Sequence, residues 1–99
     1  MTVNIQYVHV DISETLSAYT EDKLQKLFNK YEFLISADVH FKQDRKQHDS
    51  GKICSMELSL PGPRIFATSN ERNFELAVKK TISELDHQLQ KRKEVFKVY

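Results

Sequence analysis

The sequence predicts an α+β fold in the order β-α-β-β-β-α, with two helices packed on one face of a four-stranded sheet. Three observations predict it. Two long segments without Pro or Gly carry apolar residues at helical spacing. Four short segments read as strands, the clearest of them alternating apolar and polar residues. Leu60-Pro61-Gly62-Pro63 marks a sharp reversal between two of those strands. At 99 residues the chain makes one domain, spanning 1–99, with one modest core.

The first strand runs from Thr2 to Val10. Val3, Ile5, Tyr7 and His9 fall on one side, with only Val8 breaking the alternation. Asp11 and Ser13 are suited to cap a helix from Glu14 to about Tyr31. Leu16, Tyr19, Leu24, Leu27, Phe28 and Tyr31 form its apolar stripe, and Lys23, Lys26 and Lys30 lie on its outer side. Leu34–Gln43 alternates again, with Ile35, Ala37, Val39 and Phe41 facing inward. The polar run ending near Gly51 is a loop between antiparallel strands. In Ile53–Leu60 the inward residues are Cys54, Met56, Leu58 and Leu60. Pro61 suits the second position of a type II turn and Gly62 the third, where φ must be positive; Pro63 has no N–H to close it. Arg64–Ser69 is the fourth strand. Asn70–Phe96 is one long helix, capped by Asn70 or Asn73, with Phe74, Val78, Ile82, Leu85, Leu89 and Phe96 as its stripe. Lys91, Arg92, Lys93 and Lys97 crowd its last turns, where cations suit the helix dipole.

Composition narrows the function. The longest apolar runs are only a few residues, so no membrane span is expected. The N-terminus has no basic region before an apolar stretch, so no signal peptide is expected either. A single cysteine, Cys54, excludes an internal disulfide and fits a reducing, cytoplasmic setting. His9, His40, His48, Cys54 and His87 share no metal-ligand spacing, so neither metal nor cofactor is expected. Cys54 alternates with core residues and reads as a buried, inert thiol. No nucleophile elbow, phosphate-cradling glycine loop or carboxylate cluster is present, which points away from an enzyme.

Charge is more informative in its distribution than in its sum of +1. Residues 1–40 hold three bases and six acids, a net of −3, whereas residues 41–99 hold twelve bases and eight acids, a net of +4. This asymmetry fits either a cationic face aimed at a polyanion or a solvated surface of mixed sign. The candidate phosphate contacts read from the residues are Lys42, Arg45 and Lys46 around the second hairpin and Lys79 on the second helix. No RNP-type aromatic pair or GXXG loop accompanies them, so the footprint does not read sequence.

Order and spacing add a resemblance. Asn4-Ile5 in the first strand, Asp11-Ile12-Ser13-Glu14 and Leu16 at the helix start, then Lys23 and Lys26-Leu27 follow one another. The second helix carries Ala77-Val78, Leu85, Gln88-Leu89, Lys91 and Lys93. In these features the chain resembles the family of hibernation-promoting factors and ribosome-associated inhibitors, also called sigma-54 modulation or small-subunit interface proteins. The resemblance implies a fold similar to a double-stranded RNA-binding domain. It also implies binding to the small ribosomal subunit in the channel for messenger and transfer RNA, and inhibition of translation. Lys23, Lys26, Lys91 and Lys93, with Arg92 beside them, are the positions it carries over as ribosomal RNA contacts. The partner expected is therefore ribosomal RNA of the small subunit, not DNA and not a membrane. The chain departs from the family pattern at Asn73 and Glu75, where Asp-x-Tyr is usual, at Lys79, Glu84 and His87, and at Val8-His9, where Gly-Asn is common. Ending just after the helix, it looks like the short form, for which ribosome pairing with a partner protein is implied. Two alternatives stand beside this: a general double-stranded RNA-binding module, and a protein-interaction modulator of a sigma-54 type transcription factor.

Overall fold

The computed structural model describes residues 2–96, with strands β1 (Thr2–Tyr7), β2 (Ser36–Gln43), β3 (Lys52–Ser59) and β4 (Ile65–Glu71) and helices α1 (Glu14–Lys30) and α2 (Phe74–Phe96). Lys97 and the Phe96 side chain, both assigned to the end of the second helix from sequence, lie outside the described residues. The sheet order is β1-β2-β3-β4. β1 and β2 are parallel, which requires the α1 crossover between them, and β2-β3-β4 is an antiparallel meander. Register builds the core face: Val3, Ile5 and Tyr7 lie beside Ala37, Val39 and Phe41, which lie beside Leu58, Met56 and Cys54. Ala67 and Ile65 complete the rows from β4. α2 lies across β3 and β4, and α1 packs beside β1 and against α2. The opposite sheet face stays open, carrying Asp38, His40, Ser55, Glu57, Phe66 and Thr68.

Local chemistry sets the element ends. β1 stops at Tyr7, short of Val10, because His9 turns into the left-handed region at φ 57. Val8 supplies the last rung, its N–H donating to the Phe41 carbonyl at 2.9 Å. The Tyr7 hydroxyl then bonds the Ser13 carbonyl at 2.8 Å and pairs with the Ser17 hydroxyl at 2.8 Å, fixing the entry to α1. Ser13 caps α1, accepting from the Leu16 N–H at 3.2 Å. The buried stripe of α1 contains Thr20 where the spacing put Tyr19, which is only half-buried. Thr20 tolerates burial because its hydroxyl donates to the Leu16 carbonyl at 2.8 Å.

Two further boundaries move. Ile35, assigned to the core, is 55% exposed. It precedes β2, and Leu34 is buried instead as its N–H closes back on the Tyr31 carbonyl at 3.2 Å. Asn70, assigned to α2, belongs to β4. Its amide is spent on the β2–β3 loop, accepting from the Gly51 N–H at 2.6 Å and donating to Gln47 at 3.0 Å. α2 therefore begins after Asn73, whose side chain accepts from the Leu76 N–H at 2.7 Å. Its buried stripe is Ala77, Val78, Thr81, Leu85 and Leu89, with Phe74 and Ile82 partly covered.

The turn after β3 follows the sequence reading, with Gly62 at φ +90. In the other loop Gly51 sits at φ +104, where an added Cβ would run into the Asp44 carbonyl oxygen. Cys54 is fully buried, and desolvation pushes its thiol up to about 12 despite a bond with Thr81, which fits an inert core residue.

A basic groove between the two helices

The helices run in the same sense, so α1 residues meet α2 residues in ascending order: Lys23 beside Leu76 and Lys79, Lys30 beside Asp86 and Gln90. Three adjoining hollows line this seam. The first, ≈ 410 Å³, is formed by Tyr19 and Lys23 of α1 with Arg72 of the β4–α2 connection and Glu75, Leu76 and Lys79 at the start of α2. Lys23 also borders the second, ≈ 200 Å³, with Lys26, Leu27, Lys30, Ile82 and Asp86. Lys30 in turn borders the third, ≈ 280 Å³, with Tyr31, Gln90, Lys93 and Glu94. Shared walls make these one groove, with an apolar floor and cations on both rims.

Geometry sorts the sequence candidates into two sets. Lys23, Lys26, Lys79 and Lys93 meet along the groove. Lys42, Arg45, Lys46, Lys91 and Arg92 do not line it. Lys42, Arg45 and Lys46 are exposed where β2 runs into its loop, and the backbone N–H of Lys46 is tied to Asp44 at 3.0 Å. Lys91 is exposed near the end of α2. Arg92 turns the other way. Its guanidinium donates to the Pro61 carbonyl at 3.1 Å and to the Pro63 carbonyl at 2.9 Å, clamping α2 to the β3–β4 turn. The turn lacks its own closing bond, because Pro63 has no N–H, and Arg92 ties it down through two other carbonyls.

Two groove cations were not among the candidates read from the sequence. Lys30 continues the spacing of Lys23 and Lys26, a signal visible in the sequence. Arg72 carries no such signal, because the sequence reading placed residue 72 inside a helix, whereas it lies in the short connection from β4 to α2.

Carboxylates temper part of the groove. Lys26 pairs with Asp22 at 3.3 Å, both well exposed, and Lys30 pairs with Asp86 at 3.1 Å. The Tyr31 hydroxyl donates to Asp86 at 2.5 Å. Burial pushes the Asp86 carboxyl up, but bonds from Tyr31 and Lys30 outweigh this and hold it below its ordinary value. The bond to Asp86 raises Lys30, and desolvation, then the same carboxylate, raises Tyr31. At the other end Lys23, Arg72 and Lys79 have no carboxylate partner among the described ion pairs, and the Lys23 ammonium stands 5.3 Å from the Tyr19 ring centroid. A surface of this kind suits phosphates presented by a large anion. Among the described residues no group of three His, Cys, Asp or Glu is placed to hold a metal ion, and no helix is long and apolar enough to cross a membrane.

Comparison with known proteins gives matches along nearly the whole chain. The family model described as sigma 54 modulation protein / S30EA ribosomal protein matches residues 3–97. A ribosome hibernation promoting factor of Pseudomonas putida is 28% identical over 94 residues, covering 95% of this chain and 88% of the relative. Among solved structures, a ribosomal subunit interface protein from Coxiella burnetii superposes with a TM-score of 0.85 at 26% identity, covering 95% of this chain and 99% of the other. The N-terminal domain of Protein Y from Thermus thermophilus superposes with a TM-score of 0.79, covering 92% of this chain and 98% of the other; at 18% identity it speaks to the fold alone.

Proposed function

The chain belongs to the sigma 54 modulation protein / S30EA ribosomal protein family, and from that premise we propose that it is a ribosome hibernation factor. In this reading it acts by binding, as a single domain, to ribosomal RNA of the small subunit. It occupies the channel for messenger and transfer RNA, so translation is blocked by sterics alone. Ribosome pairing, with a partner protein, would follow from that inactive state. The relatives' names support the ribosomal setting. The observation that carries the proposal is the groove, where Lys23, Arg72 and Lys79 stand without carboxylate partners among the described residues and Lys93 extends the rim.

Lys23, Lys26, Lys79 and Lys93 are the leading phosphate contacts, joined by Arg72 and Lys30. Lys42, Arg45 and Lys46 offer a second contact area on the loop, and Lys91 one near the end of α2. Arg92 has a structural task first. Co-sedimentation with purified small subunits tests the proposal: the chain should pellet with them at low salt and release as salt rises. Binding of any RNA duplex as tightly as the subunit would favour a general RNA-binding module instead. Failure to bind either would leave neither reading standing.

A further inference from the structure

The cleft at the head of the groove has features that a general phosphate-facing surface does not need. Lys23, Arg72 and Lys79 converge on it from α1, the β4–α2 connection and α2. None of them is engaged in a described ion pair. The carboxylate in its wall is Glu75, so three cations against one acid leave a formal +2 around ≈ 410 Å³. Tyr19 forms another part of the wall, and its hydroxyl is buried without a hydrogen-bond partner among the described residues. A buried hydroxyl that bonds nothing calls for an explanation, and a ligand that completes the bond is one. The first turn of α2 opens at the same place, its dipole favouring an anion.

We propose that this cleft is a specific site for a terminal phosphate, of the kind carried by a free mononucleotide or by inorganic phosphate. The charge match selects the class. A terminal phosphate carries about −1.5 to −2 near neutral pH, close to the +2 of the cleft, whereas a backbone diester carries a single charge. The anion sits between Lys23, Arg72 and Lys79 and accepts a hydrogen bond from the Tyr19 hydroxyl once the side chains around it shift to expose it. The cleft shares its cations with the ribosome reading, but binding there requires neither the rest of the groove nor a long RNA, so the two can fail separately.

Amide NMR of the whole chain tests it, with sodium phosphate, uridine monophosphate and the uridine dinucleotide as probes, at ionic strength fixed with sodium chloride. The dinucleotide's sole phosphate is a diester. Phosphate and the monophosphate should give saturable shifts at Lys23 and across residues 72–79, and the dinucleotide should not. Tyr19→Phe should melt no lower than the parent, since it removes an unbonded buried hydroxyl, yet bind the monophosphate roughly tenfold more weakly, as expected for a missing hydrogen bond to a charged group. Lys79→Gln, at an exposed position, should weaken binding similarly and serves if Tyr19→Phe fails to fold. Absence of saturable shifts, equal response to the dinucleotide, or undiminished affinity in the variants would each overturn the proposal. Small-subunit binding, measured separately, bears on the ribosome reading and not on this site.

Discussion

Arg92 is the sharpest place to separate a structural cation from a binding one. It sits among Lys91 and Lys93, and all three suit a helix C-terminus equally well by charge. Only Arg92 makes two directed bonds, to the Pro61 and Pro63 carbonyls at 3.1 and 2.9 Å. A net hydrogen bond contributes about 0.5–1.5 kcal/mol. Two exposed bonds therefore put the cost of Arg92→Gln at about 1–2 kcal/mol, by the same scale. For a domain of this size each kcal/mol moves the Tm by about 4–8 °C. Lys91→Gln and Lys93→Gln lose only the dipole interaction, about 0.3–1 kcal/mol each and screened by salt. The informative variant is Arg92→Lys, which keeps the charge and loses the fork. Thermal unfolding followed by circular dichroism, at low and at high salt, should show Arg92→Lys destabilised almost as much as Arg92→Gln, with little dependence on salt. A fully stable Arg92→Lys would refute the clamp and return Arg92 to the class of cations that serve the helix end or the ribosome.

Other outcomes follow from the core, the loop and the charge cluster. Leu85 is fully buried against the sheet, so Leu85→Ala should cost about 2–5 kcal/mol by chemical denaturation; a change within error would mean that α2 presents another face. Gly51→Ala should destabilise by more than an ordinary surface change, because it combines φ +104 with a collision at the Asp44 carbonyl; unaltered melting would contradict that loop geometry. Asp86 is held below its ordinary value of 3.8, so its stabilising effect is present above that value and is lost as pH falls through the folded one. Wild type should thus lose more stability than Asp86→Asn on acidification, and parallel pH curves would show the cluster to be energetically idle.

Much of this fold was legible because it follows from local rules. Alternation in Ala37–Phe41 and Cys54–Leu58 identified the core face of the meander, and Pro61-Gly62 identified its turn together with the positive φ. The misreadings arise where a distant partner decides. Asn70 looks like a helix cap until Gly51 and Gln47, some twenty residues earlier, take its amide. Thr20 fits neither an apolar stripe nor a surface until its hydroxyl finds the Leu16 carbonyl. Ile35 obeys the alternation but stands just outside the strand that would bury it. The groove was legible only in pieces. Each lysine could be placed on its own helix, but which flank of α2 faces α1 is set by packing of Ala77, Val78, Thr81 and Leu85. Convergence of Lys23 with Arg72 and Lys79 therefore could not be read, and neither could the turn that occupies Arg92, 29–31 residues away.

The central claim is that cations on the helix–helix groove hold this protein on ribosomal RNA. Co-sedimentation with purified small subunits over a series of salt concentrations tests it most directly, comparing the parent chain with the triple variant Lys23→Gln, Lys79→Gln, Lys93→Gln. These exposed or half-exposed positions leave the core intact. The account predicts steeply salt-dependent binding by the parent. It also predicts weaker binding by the variant, with a log-log salt slope shallower by about one for each phosphate that the substituted side chains no longer neutralise. A parent whose binding ignores salt, or a variant that binds with the parent's affinity and slope, would contradict it.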